Sequence, residues 1–196
     1  MEISLGYTHG STAHIDFFIS EKMLQGQAIT LRETREMDLP VLAGIRNDVA
    51  LQLALMATPR PNTVERVEDW IKRRASDPAG VFFVVAFGEE LQPIGFVQLV
   101  NIDAVHQHAD LGICVLPEHQ GGGRALEALQ LLEKYASSTL GLRKIVLRVL
   151  ALNSRAIAFY EKSGYRQVGV LHAHHFQAGE FHDVLLMEKL LRAIAT

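Results

Sequence analysis

Three consecutive glycines, Gly121–Gly123, stand between an apolar run that ends at Val115-Leu116 and a helical pattern that starts immediately afterwards. Leu126, Leu129, Leu132 and Ala136 form one stripe of that pattern, Glu127, Gln130, Lys134 and Ser137 fall opposite, and Gly141 ends it. A strand that turns through glycine directly into an amphipathic helix restricts the fold to a sheet with covering helices. Without Cβ atoms the backbone turns tightly and brings several N–H groups against a ligand. The helix N-terminus adds unsatisfied donors and partial positive charge, so the segment is expected to bind an anion, most naturally a phosphate. A plain flexible connection is the alternative reading.

The rest of the chain alternates strand and helix signals. Ile29–Arg32, Val81–Phe87, Ile94–Val100, Ala109–Leu116, Lys144–Leu150, Tyr165–Leu171 and Phe181–Lys189 read as seven strands. Asp38 is placed to cap a helix with Pro40 in its first turn, and Thr63 to cap another through Arg74. Asn153–Lys162 reads as a short helix stopped by Gly164. Strands joined both by hairpins and by helices imply a mixed α/β sheet. Residues 1–28 form a polar arm with one apolar island at Ile15–Ile19, and Met23 is an alternative translation start. Residues 29–196 are expected to form one domain.

Composition removes several function classes. The 196 residues carry 19 Lys plus Arg against 22 Asp plus Glu, a formal charge of −3. Such a balance gives no electrostatic reason to expect nucleic acid or an anionic membrane as partner. Apolar runs are far shorter than the roughly 18–20 residues that cross a bilayer. The first residues lack a basic signal-peptide start. One cysteine, Cys114, excludes an internal disulfide framework. A cytoplasmic protein is expected.

Two phosphate-binding motifs fail on the residues themselves. A P-loop needs Gly-Lys-Ser/Thr, whereas Gly123 is followed by Arg124-Ala125. The dinucleotide fingerprint needs a third glycine where Leu126 stands. Gln120-x-x-Gly123-x-Ala125 instead resembles the Q/R-x-x-G-x-G/A acetyl-coenzyme A signature of the GNAT N-acetyltransferases. About 30 residues on, Asn153-Ser154-Arg155-Ala156 running to Tyr160-Glu161-Lys162-Ser163-Gly164-Tyr165 is similar to that family's second motif. The likeness covers about residues 29–190 and is closest to the branch of ribosomal-protein alanine and small-amine acetyltransferases.

The resemblance implies a mostly antiparallel sheet of about seven strands, splayed between the fourth and fifth, with acetyl-CoA as cosubstrate in the gap. Backbone N–H groups of Gln120, Gly121, Gly122, Gly123, Arg124 and Ala125 would meet the pyrophosphate. Strand residues Ile113, Cys114 and Val115 would pair with the pantetheine arm, and Asn153, Ala156 and Tyr160 would complete the contacts. Tyr160 would protonate the departing thiolate. A backbone N–H near Ile113 would stabilise the oxyanion formed by direct attack of an amine in a ternary complex. A non-catalytic acyl-CoA-binding module on the same fold is the alternative; retention of Asn153 and Tyr160 favours the enzyme.

Asp110 is the first choice for the general base, with His108 on the same side of the strand. His172, His174 and His175 are expected in a loop between the last two strands, as solvated side chains and not a metal site. Cys114 reads as a buried hydrophobe and not a nucleophile, and Trp70, with Ile71 and Val67, as core packing of a helix, a place on the acceptor pocket wall being the alternative reading. The acceptor is a small-molecule amine or a protein N-terminus, chosen by residues 51–62 and the His172–Glu180 connection. A homodimer is expected, with the apolar strand Val184–Met187 near its interface and Ile15–Ile19 covering that edge or joining a partner sheet.

Overall fold

The computed structural model describes residues 24–191. The island at residues 15–19 and Met23 lie outside the described residues. Eight strands form one sheet in the order β1-β2-β3-β4-β5-β6-β8-β7. They are β1 (Leu24–Gln25), β2 (Ile29–Arg32), β3 (Val81–Phe87), β4 (Gln92–Asp103), β5 (His108–Val115), β6 (Lys144–Leu150), β7 (Arg166–Gln177) and β8 (Glu180–Leu190). The helices are α1 (Leu39–Asn47), α2 (Val49–Ala54), α3 (Val64–Ala75), α4 (Arg124–Ser138) and α5 (Ser154–Lys162). The seven expected strands are all present, and the eighth, β1, is a two-residue extension paired to β2. No helix among the described residues is long and apolar enough to cross a membrane.

Every neighbouring pair is antiparallel except β5 with β6. That parallel pair is short: His108, Ala109 and Asp110 face Lys144, Ile145 and Val146, and the pairing stops there. β5 continues to Val115 paired only to β4, while β6 continues to Leu150 paired only to β8. The sheet therefore opens between these strands, the fourth and fifth of the sequence-based count.

Side-chain alternation gives each face its own core. Ile145, Leu147 and Val149 of β6 pack with Leu129, Leu132 and Ala136 of α4 and with Tyr160 of α5. On the opposite face Leu42, Ile45 and Val67 from α1 and α3 cover Val84, Phe96 and Cys114. At the periphery, Arg32 and Asp38 form a fully buried pair, with Nη1 and Nη2 donating to the two carboxylate oxygens at 2.7 and 2.8 Å.

Several local expectations change. Leu126 is 37% exposed, and the buried stripe of α4 runs through Ala128, Leu129, Leu132 and Ala136. Asp38 stands at the α1 N-cap position, but its carboxylate serves Arg32 and the Arg35 backbone N–H instead of capping the helix. Residues 51–62 are not all loop: Asp48 accepts a hydrogen bond from the Leu51 N–H at 2.9 Å and starts α2. His172, His174 and His175 lie within β7, which joins β8 through a tight turn at Ala178-Gly179. β8 is interior, flanked by β6 and β7, so the residues 184–187 offer no sheet edge; β7 is the outer strand.

Candidate active site

Gly121, Gly122 and Gly123 have φ of 88°, 59° and 81°, a run of left-handed conformations that side chains strongly disfavour. A Cβ built on Gly121 or Gly123 would meet no atom within 4 Å, so the outer side of the turn is open. Gln120 holds the turn in place: its amide Nε2 donates to the Val115 carbonyl at 2.6 Å and its oxygen accepts from the Arg155 guanidinium of α5. Arg124 lies over the Phe87 ring at 4.5 Å. The Gln120 side chain is thus engaged within the protein, while the glycine turn and the first N–H groups of α4 face outward. That geometry suits a pyrophosphate.

The gap between β5 and β6 leads away from this turn. Ile113 is half-buried, and Cys114 and Val115 are buried. Asn153 caps α5 by accepting from the Ala156 N–H at 3.1 Å, which occupies its side-chain oxygen. Gly164 closes the same helix, and the Tyr165 N–H then reaches the Tyr160 carbonyl at 2.9 Å. Tyr160 is held on edge-to-face contacts with Phe159 and Tyr165. Burial foremost pushes its phenol up to about 12. Burial, and then the charge of Asp48, likewise pushes the Cys114 thiol up to about 12, so it stays protonated and inert.

On the α1/α3 face a cavity of about 340 Å³ adjoins the gap. Asp110 lines it, accepting from the Asn101 amide at 2.8 Å. Trp70 lines it too, packed edge-on against Phe82 and Phe96, so it serves both core and cavity wall. His108 does not line this cavity; it stacks on His106. His172 of β7 pairs with Asp183 of β8 at 3.0 Å, away from this cavity's lining.

Sequence reasoning missed Arg46, Arg148, Gln98 and Asp48. Arg148 and Gln98 carried a readable signal: each is a polar residue inside an otherwise apolar strand.

The acetyltransferase (GNAT) domain profile matches residues 28–166. The chain belongs to the GNAT acetyltransferase family. This acetyltransferase is 30% identical over 159 residues to the spermidine N(1)-acetyltransferase of Vibrio cholerae, covering 81% of this chain and 91% of that protein. To the spermidine N(1)-acetyltransferase of Escherichia coli K12 it is 29% identical, over 84% of this chain and 87% of that one. The crystal structure of the Vibrio enzyme with CoA and spermine superposes with a TM-score of 0.78 at 29% identity, covering 85% of this chain and 97% of that chain. A dodecameric structure of the Vibrio enzyme superposes at 0.72 with 29% identity, covering 85% of this chain and 95% of that one. As a GNAT member the chain is an N-acetyltransferase that uses acetyl-CoA.

Proposed function

We propose that the chain acetylates a small-molecule primary amine by direct attack on the thioester in a ternary complex, with Tyr160 and Asp110 as its acid and base. The observation that carries this reading is the β5/β6 opening, which joins the glycine turn at one end to the cavity beside Asp110. The outward N–H groups of Gly121, Gly122, Gly123, Arg124 and Ala125 hold the cofactor's pyrophosphate. Residues Ile113, Cys114 and Val115, paired on one side only, hold its arm, with Asn153 and Ala156 at the start of α5. Bound acetyl-CoA supplies the activated acyl group. Asp110 draws a proton from the incoming ammonium, the Ile113 N–H stabilises negative charge on the thioester oxygen, and Tyr160 protonates the sulfur.

The size of the cavity, about 340 Å³, suits a small amine. Because the Vibrio and Escherichia relatives are spermidine acetyltransferases, polyamines are the first acceptors to test. We also place the protein in the cytoplasm as a homo-oligomer. One cysteine fits a reducing compartment, and a dodecameric relative fits self-association. Release of free CoA thiol should follow acetyl-CoA addition only when a primary amine is present, beside calorimetric binding of acetyl-CoA. Binding with no thiol release across a broad amine panel would overturn the catalytic reading.

A further inference from the structure

The cavity beside Asp110 is unusually basic for a site that receives cations. Arg46 reaches it from the last turn of α1, Arg74 from the end of α3, and Arg148 from β6, where alternation turns residue 148 away from the Leu147 and Val149 side. Among the described residues Asp110 is the only carboxylate on its wall, and it is already engaged by Asn101.

None of the three guanidiniums belongs to an ion pair among the described residues. Arg46 donates to the neutral Gln52 amide oxygen at 2.9 Å and lies 5.2 Å over the Trp70 ring. Its Nε is buried without a partner, and so is the Gln98 oxygen on the same wall. Burial, and then the charge of Arg74, lowers the Arg46 pKa, as crowded like charges must. Arg46 and Arg74 are half-buried and Arg148 is exposed, and guanidiniums gathered around a single carboxylate are costly unless an anion arrives. Their planar forks fit carboxylate and phosphate oxygens. A polyamine would instead set its remaining ammonium groups against three like charges.

We propose that the acceptor is an amine that bears its own oxyanion group, a carboxylate or a phosphate, held by Arg46, Arg74 and Arg148, and that polyamines are poor substrates. This rests on the acetyltransferase reading above and narrows its acceptor. The ammonium end lies toward Asp110 and the acidic end toward the arginines.

Matched pairs test it: amino acids against their decarboxylated amines, phosphoethanolamine against ethanolamine, and spermidine alongside. kcat/KM for an acidic member should exceed that of its neutral-tailed partner and of spermidine by about tenfold or more. Which pair shows the larger gap identifies carboxylate or phosphate. Arg74→Ala and Arg148→Ala should each shrink that ratio by about tenfold, whereas general damage would lower both members together. Equal rates within each pair, or a preference for spermidine, would overturn the proposal. If no amine turns over, the catalytic reading fails, and binding decides this one separately. The N-acetylated acidic product must then bind the CoA-loaded protein more tightly in calorimetry than its neutral counterpart; equal binding overturns it.

Discussion

Tyr160 is 9% exposed, and a phenol pushed up to about 12 keeps its proton throughout the neutral range, so this residue is equipped to give a proton and not to take one. Phenylalanine preserves its edge-to-face contacts and removes the donor. Tyr160→Phe should lower turnover by about 10²–10⁴-fold, with acetyl-CoA affinity and melting temperature nearly unchanged; full activity would leave Tyr160 as packing alone. No alkaline loss of rate should come from this phenol below about pH 11, since it titrates near 12. The buried Arg32–Asp38 pair behaves differently, because both side chains have no exposure. Asp38→Ala strands a guanidinium in the interior and should cost about 3–5 kcal/mol, read as a fall in the urea midpoint; an unchanged midpoint would show that the pair is dispensable. That pair was not legible in the sequence, where Asp38 before Pro40 reads as an ordinary helix cap. The competing partner, Arg32, sits on the preceding strand, and only the tertiary turn between them decides which role the carboxylate takes.

Among the elements, the glycine turn and α5 were the most legible, because capping and positive-φ requirements are local. Gly123→Val meets no steric obstacle, yet it forces a β-branched residue to φ 81° at the start of α4. Acetyl-CoA affinity should fall by about tenfold or more as the donors lose their aim; unchanged affinity in the folded variant would move the pyrophosphate elsewhere. β7 was read short because its second half, His172 to Gln177, is too polar to show alternation, and its register shifts between Leu171 and His175. Asp183 helps to fix that irregularity by accepting from the Ala173 N–H at 2.8 Å and pairing with His172. Those contacts, the backbone one foremost, hold Asp183 below the usual carboxylate range, and His106 holds Asp103 down to about 2. A depressed folded pKa stabilises the fold above the ordinary carboxylate range near 4 and loses that contribution as pH falls toward 2. The melting temperature should therefore drop across that window, and a flat profile would show that these contacts contribute nothing. Of the cavity's arginines only Arg148 carried a local signal, and their convergence was illegible for a different reason: α1, α3 and β6 are distant in sequence, and nothing local announces that their cations will line one cavity.

At the scale of the molecule, the proposed self-association is tested at what the sheet leaves exposed. β7 is its outer strand, and Phe176 and Phe181 near the β7–β8 turn are 60% and 66% exposed while touching each other at 5.0 Å between ring centres. Sedimentation should show a homo-oligomer that Phe176→Ser/Phe181→Ser weakens; a wild-type monomer at high micromolar concentration would count against it. The opening between β5 and β6 has the opposite exposure. Residues 111–115 present a strand flank turned inward, with the α4/α5 layer above it and the α1/α3 layer below. Free flanks of this kind on a protein surface recruit other chains and seed aggregation. A foreign polypeptide strand would have to fit bulky groups between those two layers. In the proposed function a thin, amide-bearing tether without such branches lies there instead, and the expected consequence is an unfinished sheet that selects its occupant and does not seed aggregation.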